Sequence, residues 1–222
     1  MTEKKWAEVD TFIADLFVNP DLVLDAALAA SEKAGLPEIE VSPSYGKLLF
    51  LLAKMIGARK ILEIGTLAGY STIWMARALP KDGRLVTLEF DPKHAKVAKA
   101  NIDRAGLAAI VDVRVGRALD SLPKIAAAGE APFDLFFLDA DKPSNPAYFE
   151  WALKLSRKGS LIVADNVVRY GALTDMESKD ANVKGVRSFL EMVSREKRVS
   201  ATAIQTVGVK GHDGFALALV IE

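Results

Sequence analysis

From Arg59 onward the chain alternates short apolar runs with amphipathic segments five times, then breaks the rhythm with two apolar runs and no helix between them. This constrains the fold more than any other feature. Strands are expected at residues 60–64, 84–90, 110–115, 133–138 and 160–164, and helices at 71–79, 92–104, 118–127, 145–156 and 180–197. Such alternation means a mostly parallel sheet with helices on both faces. The last two runs, 199–207 and 215–221, are separated by Gly208 to Gly214, too few residues for a crossover helix. They are expected to form an antiparallel hairpin. The fold class is therefore α/β, with a Rossmann-like, mostly parallel seven-stranded sheet ending in a hairpin.

Ahead of the sheet come three helical segments. Trp6, Val9, Ile13, Leu16 and Phe17 recur at helical spacing. Asn19-Pro20-Asp21 reads as the start of a second helix ending near Lys33, before Gly35 and Pro37. Ser42-Pro43 opens a third, with Leu48, Leu49, Leu52, Met55 and Ile56 expected inside and Gly57 closing it. These helices are suited to covering a ligand, forming a dimer face or cradling a substrate. With no internal repeat, low-complexity stretch or linker, residues 1–222 read as one domain, 1–57 as N-terminal helices and 58–222 as the core.

Composition narrows the partners. The 29 Lys and Arg balance 29 Asp and Glu, so no basic surplus points to nucleic acid. No apolar run approaches the roughly 20 residues that span a bilayer, and no secretory h-region follows Met1. The absence of cysteine excludes disulfides and thiolate metal sites and suits a cytoplasmic protein.

Ligands of an open parallel sheet sit beyond the carboxyl ends of its strands. The first strand runs into Glu63-Ile64-Gly65-Thr66-Leu67-Ala68-Gly69-Tyr70-Ser71, a strand, a tight turn and a helix start. Glycine there lets a ligand approach the main chain. Glu89 ends the second strand 24 residues after Gly65, where an acid accepts ribose hydroxyls. Asp91 is expected to cap the helix at Pro92. Gly116-Arg117-Ala118 leaves room for a flat base. The fourth strand ends in Asp139-Ala140-Asp141-Lys142 and the fifth in Asp165-Asn166. Asp139, Asp165 and Asn166 would converge as hard oxygen ligands for Mg²⁺ or a similar cation (Mn²⁺ or Ca²⁺), unless Asp165 and Asn166 only form a turn and Asp139 only caps a helix. Lys142 lies three residues past Asp139, where a nearby cation disfavours the ammonium form and favours action as a base. His94 and His212 lack partners at ligand spacing and read as surface residues. Trp74 and Trp151 read as helix core.

Together with Val41-Ser42-Pro43 and Val207-Gly208, these motifs resemble the cation-dependent O-methyltransferases typified by caffeoyl-CoA and catechol O-methyltransferases. The resemblance covers Val41 to the C-terminus. It implies S-adenosylmethionine contacts at Val41, Glu63, Gly65, Thr66, Ser71, Glu89, Ala118 and Asp139, with Glu89 on the ribose. It further implies metal ligation by Asp139, Asp165 and Asn166, and Lys142 as general base. A catechol-like small aromatic substrate and a homodimer are implied too. Pro143-Ser144-Asn145 and Val167-Val168-Arg169-Tyr170-Gly171 depart from the plant enzymes and resemble bacterial members. Other readings are a metal-independent methyltransferase of another nucleophile, a nicotinamide dehydrogenase, and a non-catalytic S-adenosylmethionine-binding protein. The dehydrogenase is disfavoured by the terminal hairpin and by Gly65-x-x-x-Gly69 in place of G-x-G-x-x-G.

Overall fold

The computed structural model describes residues 2–222. Three helices come first: α1 (Glu3–Phe17), α2 (Leu22–Lys33) and α3 (Pro43–Met55). Five strand–helix units follow. They are β1 (Lys60–Ile64) with α4 (Tyr70–Ala76), β2 (Arg84–Glu89) with α5 (Pro92–Arg104), and β3 (Val111–Val115) with α6 (Ala118–Ala127). Then come β4 (Leu135–Leu138) with α7 (Asn145–Leu155) and β5 (Leu161–Asp165) with α8 (Ala181–Arg195). A hairpin, β6 (Val199–Gly208) and β7 (Gly211–Val220), ends the chain.

The sheet runs β3-β2-β1-β4-β5-β7-β6, parallel from β3 to β5 and antiparallel at β7 and β6. Its order reverses between β1 and β4, the switch point at which such sheets bind ligands. Alternate residues of each strand enter opposite cores. Leu62, Leu88, Phe136 and Ile162 meet α6, α7 and α8 through Leu122, Phe149 and Phe189. Ile61, Leu85, Phe137 and Val163 meet α3, α4 and α5 through Leu49, Ile73 and Ile102. Burial on both faces explains why these strands read as unbroken apolar runs.

Several expectations need correction. Asp21 caps α2, accepting from the backbone N–H of Val23 and Leu24, so Asn19 and Pro20 stand outside the helix they were expected to open. Met55 is 80% exposed, while Leu49 and Ala53 carry the buried side of α3. The hairpin loop is only Val209-Lys210, because β7 begins at Gly211. Gly214 lies within that strand, where a Cβ would stand 2.2 Å from the Ile204 carbonyl oxygen. Its glycine reports close approach of backbones rather than a loop. The caps at Ser42 and Asp91 are present: Ser42 Oγ accepts from Tyr45 N at 3.3 Å and Asp91 Oδ1 from Lys93 N at 2.7 Å.

Candidate active site

The register aligns Ile64 with both Leu88 and Leu138, and Leu138 with Ala164. The next residues therefore stand side by side at one rim of the sheet: Gly65, Glu89, Asp139 and Asp165. Gly65 has a φ of 98°, and a Cβ on it would lie 2.1 Å from the Asp139 carbonyl oxygen. Only glycine lets β1 turn away this close to β4.

A cleft of about 680 Å³ opens over this rim. Val41, Gly65, Thr66, Ser71, Glu89, Ala118 and Asp139 all line it. Glu89 is held firmly: Oε2 accepts from Thr66 N at 3.0 Å and Leu67 N at 2.8 Å, and Oε1 from Asp91 N at 2.9 Å. Gly116, with nothing within 4 Å of a Cβ position, leaves the floor open. Glu63 is the exception among the predicted residues. It is fully buried beneath the cleft, accepting from the hydroxyls of Ser71 and Thr72 at 2.6 and 2.5 Å, and of these two only Ser71 lines the cleft. Burial lifts its pKa to about 7, against the hydrogen bonds of the neighbouring Ser and Thr hydroxyls.

A second cavity, of about 870 Å³, lies between the N-terminal segments and the hairpin. Tyr45, Asp165 and Phe215 line it, and Asn166 and Arg169 line both cavities. The three predicted metal ligands thus stand at a junction. Asp139 faces the first space, Asp165 the second, and Asn166 both. Lys142, almost wholly buried, donates from Nζ to Asp139 Oδ1 at 3.0 Å. Asp165 accepts from Asn166 N at 2.8 Å. Burial first, and then the charge of Asp139, push its carboxyl well above the usual range. Among the described residues no three His, Cys, Asp or Glu side chains form a metal cluster, and the predicted donor set holds only two carboxylates beside an amide. Two carboxylates that repel each other beside an amide oxygen fit a hard divalent cation, which removes the repulsion.

Two residues of the site were not anticipated, and a third, Arg169, was noted only as part of the 167–171 stretch. His94, read as surface, lines the cleft with Nδ1 3.5 Å from Glu89 Oε1. Tyr45 stacks on Phe215 (centroids 5.3 Å apart), and its buried hydroxyl has no hydrogen-bond partner. Burial, then the charges of Asp165 and Asp139, keep that phenol protonated to unusually high pH. Arg169 is the third. It and Tyr170 are consecutive non-glycine residues with φ of 54° and 55°. Each such conformation costs on the order of 1–3 kcal/mol and persists only where the surroundings impose it. Here Asp213 Oδ1 accepts from both Val168 N and Arg169 N. Asp141, by contrast, is occupied by the Tyr148 hydroxyl.

The sequence pattern of the O-methyltransferase family matches residues 18–221. The chain belongs to this family. The O-methyltransferase is 54% identical to a catechol O-methyltransferase of Niastella koreensis over 99% of this chain and all of the relative. Among solved structures, it matches an O-methyltransferase from Bacillus cereus in complex with SAH at a TM-score of 0.97 and 53% identity, covering 99% of this chain and 100% of that one. It matches TomG from Streptomyces achromogenes, solved with SAM, at a TM-score of 0.96 and 52% identity over the full length of both. The switch-point cleft and its glycine turn are thus those of an O-methyltransferase whose relatives have been solved with this donor or its product.

Proposed function

We propose that the protein transfers a methyl group from S-adenosylmethionine to one hydroxyl of a catechol-like aromatic molecule, with a divalent cation at Asp139, Asp165 and Asn166. The observation that carries this reading is the meeting of two cavities at those three residues. A donor in the 680 Å³ cleft and an acceptor in the 870 Å³ cavity would face each other there. Glu89 holds the donor's ribose, and Gly65, Thr66, Val41 and Ala118 shape the walls around it. Ser71 is oriented by buried Glu63. When bound, the cation would supply Lewis acidity toward the acceptor and lower the pKa of the attacking hydroxyl.

On this reading Lys142, which lines the cleft and contacts Asp139, takes the proton from that hydroxyl in its neutral form, and Asp139 holds the ammonium group that results. The oxygen–carbon bond forms as the sulfur–carbon bond breaks, neutralising charge on both partners. Alignment at about 3 Å is therefore what the chain contributes most. We also read residues 1–222 as one domain of a cytoplasmic protein that assembles as a homodimer. α1 has no buried residue and exposes Phe12, Leu16 and Phe17, an apolar face suited to a second copy. No helix among the described residues is long and apolar enough to cross a membrane.

The test is turnover of 1,2-dihydroxybenzene with S-adenosylmethionine and Mg²⁺, followed by mass spectrometry. A monomethyl product that disappears in excess chelator and returns with Mg²⁺ is expected. Equal turnover in chelator would remove the metal role, and no methylation of any vicinal diol would remove the acceptor class.

A further inference from the structure

We infer that Arg169 recognises a carboxylate on the acceptor ring, so that the preferred substrates are ortho-dihydroxy aromatic acids rather than neutral catechols. This deepens the acceptor assignment above and rests on it.

The first observation is position. Arg169 lines both cavities, three residues beyond Asn166, and so borders the space where an acceptor would present its ring. The second is its lack of a partner. Its Nε is buried with no hydrogen bond, and the guanidinium makes no ion pair among the described residues. A buried, unpaired donor on a charged group is costly and calls for a ligand. The third is what its charged neighbours do. Lys210 contacts Glu40 at 2.7 Å and the Glu38 carbonyl at 3.2 Å. Asp213 accepts from backbone N–H groups of the Arg169 loop, and Asp10 from Val209 N. Those groups of the second cavity are occupied by other parts of the chain. Lys4, which also lines it, is a solvent-exposed side chain of α1, whereas Arg169 is half-buried beside the proposed metal ligands and has no partner among the described residues.

The backbone shows that this placement is imposed. Arg169 and Tyr170 both hold left-handed conformations, pinned by Asp213 from β7. The cavity of about 870 Å³ lies toward the upper end of small-molecule pockets, about 300–1,000 Å³, and has room for a substituent beyond the chelated hydroxyls. A guanidinium is a planar fork that matches a carboxylate through two parallel hydrogen bonds, which a neutral ring cannot satisfy.

The experiment compares 3,4-dihydroxybenzoate with 1,2-dihydroxybenzene as acceptors, each with S-adenosylmethionine and Mg²⁺, in wild type, Arg169→Asn and Arg169→Lys. Asparagine tolerates the left-handed backbone, so folding is preserved; lysine keeps the charge without the fork. In wild type the acid should have the higher kcat/KM. The ratio of the two kcat/KM values should fall about 10- to 100-fold in R169N, the size of a hydrogen bond to a charged group, mainly through KM for the acid. R169K should recover part of it. A wild-type enzyme that does not favour the acid, or a ratio unmoved by R169N, overturns the inference. So does a rise in the KM for S-adenosylmethionine with the ratio unchanged, which would place the guanidinium on the donor's carboxylate. If neither acceptor is methylated by wild type, it is the acceptor class proposed above that fails. If both are methylated with the same ratio in every variant, only the role of Arg169 fails.

Discussion

Strand β4 has an aspartate just beyond each end, and the chain treats the two ends oppositely. At the N-terminal end, Asp134 accepts from Arg59 N at 2.8 Å and Lys60 N at 2.9 Å through Oδ2, and from Arg157 Nε and Nη2 at 3.0 and 2.6 Å through Oδ1. Burial works against its charge, but these donors outweigh it and hold the carboxyl below its ordinary range. At the other end, Asp139 has one lysine contact, and its neighbour Asp165 one backbone N–H. Surface exposure does not separate the two kinds, since Asp134 is 7% exposed and Asp165 is 8%. Asp165 is packed more deeply, so burial raises it further, and it lacks the donors that outweigh burial at Asp134. A carboxylate whose lone pairs are all taken braces β1 to β4 and to the turn at Arg157. One left facing another carboxylate is held ready for something not yet bound.

The largest effect that could break this contrast is on turnover. Asp165→Ala should lower kcat by about 10³-fold or more, several kcal/mol of transition-state stabilisation. The melting temperature of the ligand-free protein should stay level or rise, because a buried repulsion is removed. A loss of stability comparable to that in Asp134→Ala would show that Asp165 is a brace as well. Asp134→Ala is the converse test. It strands two backbone N–H groups, at about 1–3 kcal/mol each, and leaves Arg157 unpaired. Urea denaturation should register a loss of that order while kcat of the folded enzyme stays the same. Stability kept together with activity lost would reverse the assignment of the two ends. The pH dependence should differ in sign too. Asp134, with a depressed folded value, contributes stability above the ordinary carboxylate range that is lost as acid protonates it.

Much of the rim was legible in the sequence because strand ends are read from apolar runs, and the register then carries Gly65, Glu89, Asp139 and Asp165 to the same side. What was not legible depends on contacts between distant elements. Tyr45 carried no signal in the sequence; only β7, folding back, sets Phe215 under its ring. His94 looked solvated because nothing in its own helix shows that it faces Glu89. Arg169 sits in a loop whose left-handed turn is enforced by Asp213, 44 residues later. The glycines from 208 to 214 read as a loop, although Gly214 is there to let two strands approach. Met55 shows the same limit: helical spacing placed it inside, but at the end of α3 no element covers that face.

Glu63 supplies a smaller and finer test, because it belongs to the rim yet touches no cavity. Its carboxyl is lifted from an ordinary 4.5 to about 7. Between those two values the folded state therefore binds more protons than the unfolded one. Stability is present in full below the unfolded value and falls as pH rises through the folded one. The shift of roughly 2.5 units corresponds to at most about 3 kcal/mol. Glu63→Gln removes the titration and keeps a carbonyl oxygen for Ser71 or Thr72. Chemical denaturation of wild type and variant at pH 5 and pH 8 should show the difference moving in the variant's favour by up to that amount at the higher pH. Parallel curves would mean that the Ser71 and Thr72 hydroxyls already satisfy the ionised form. Glu63 would then resemble the well-braced Asp134 end of β4 more than the rim it lies under.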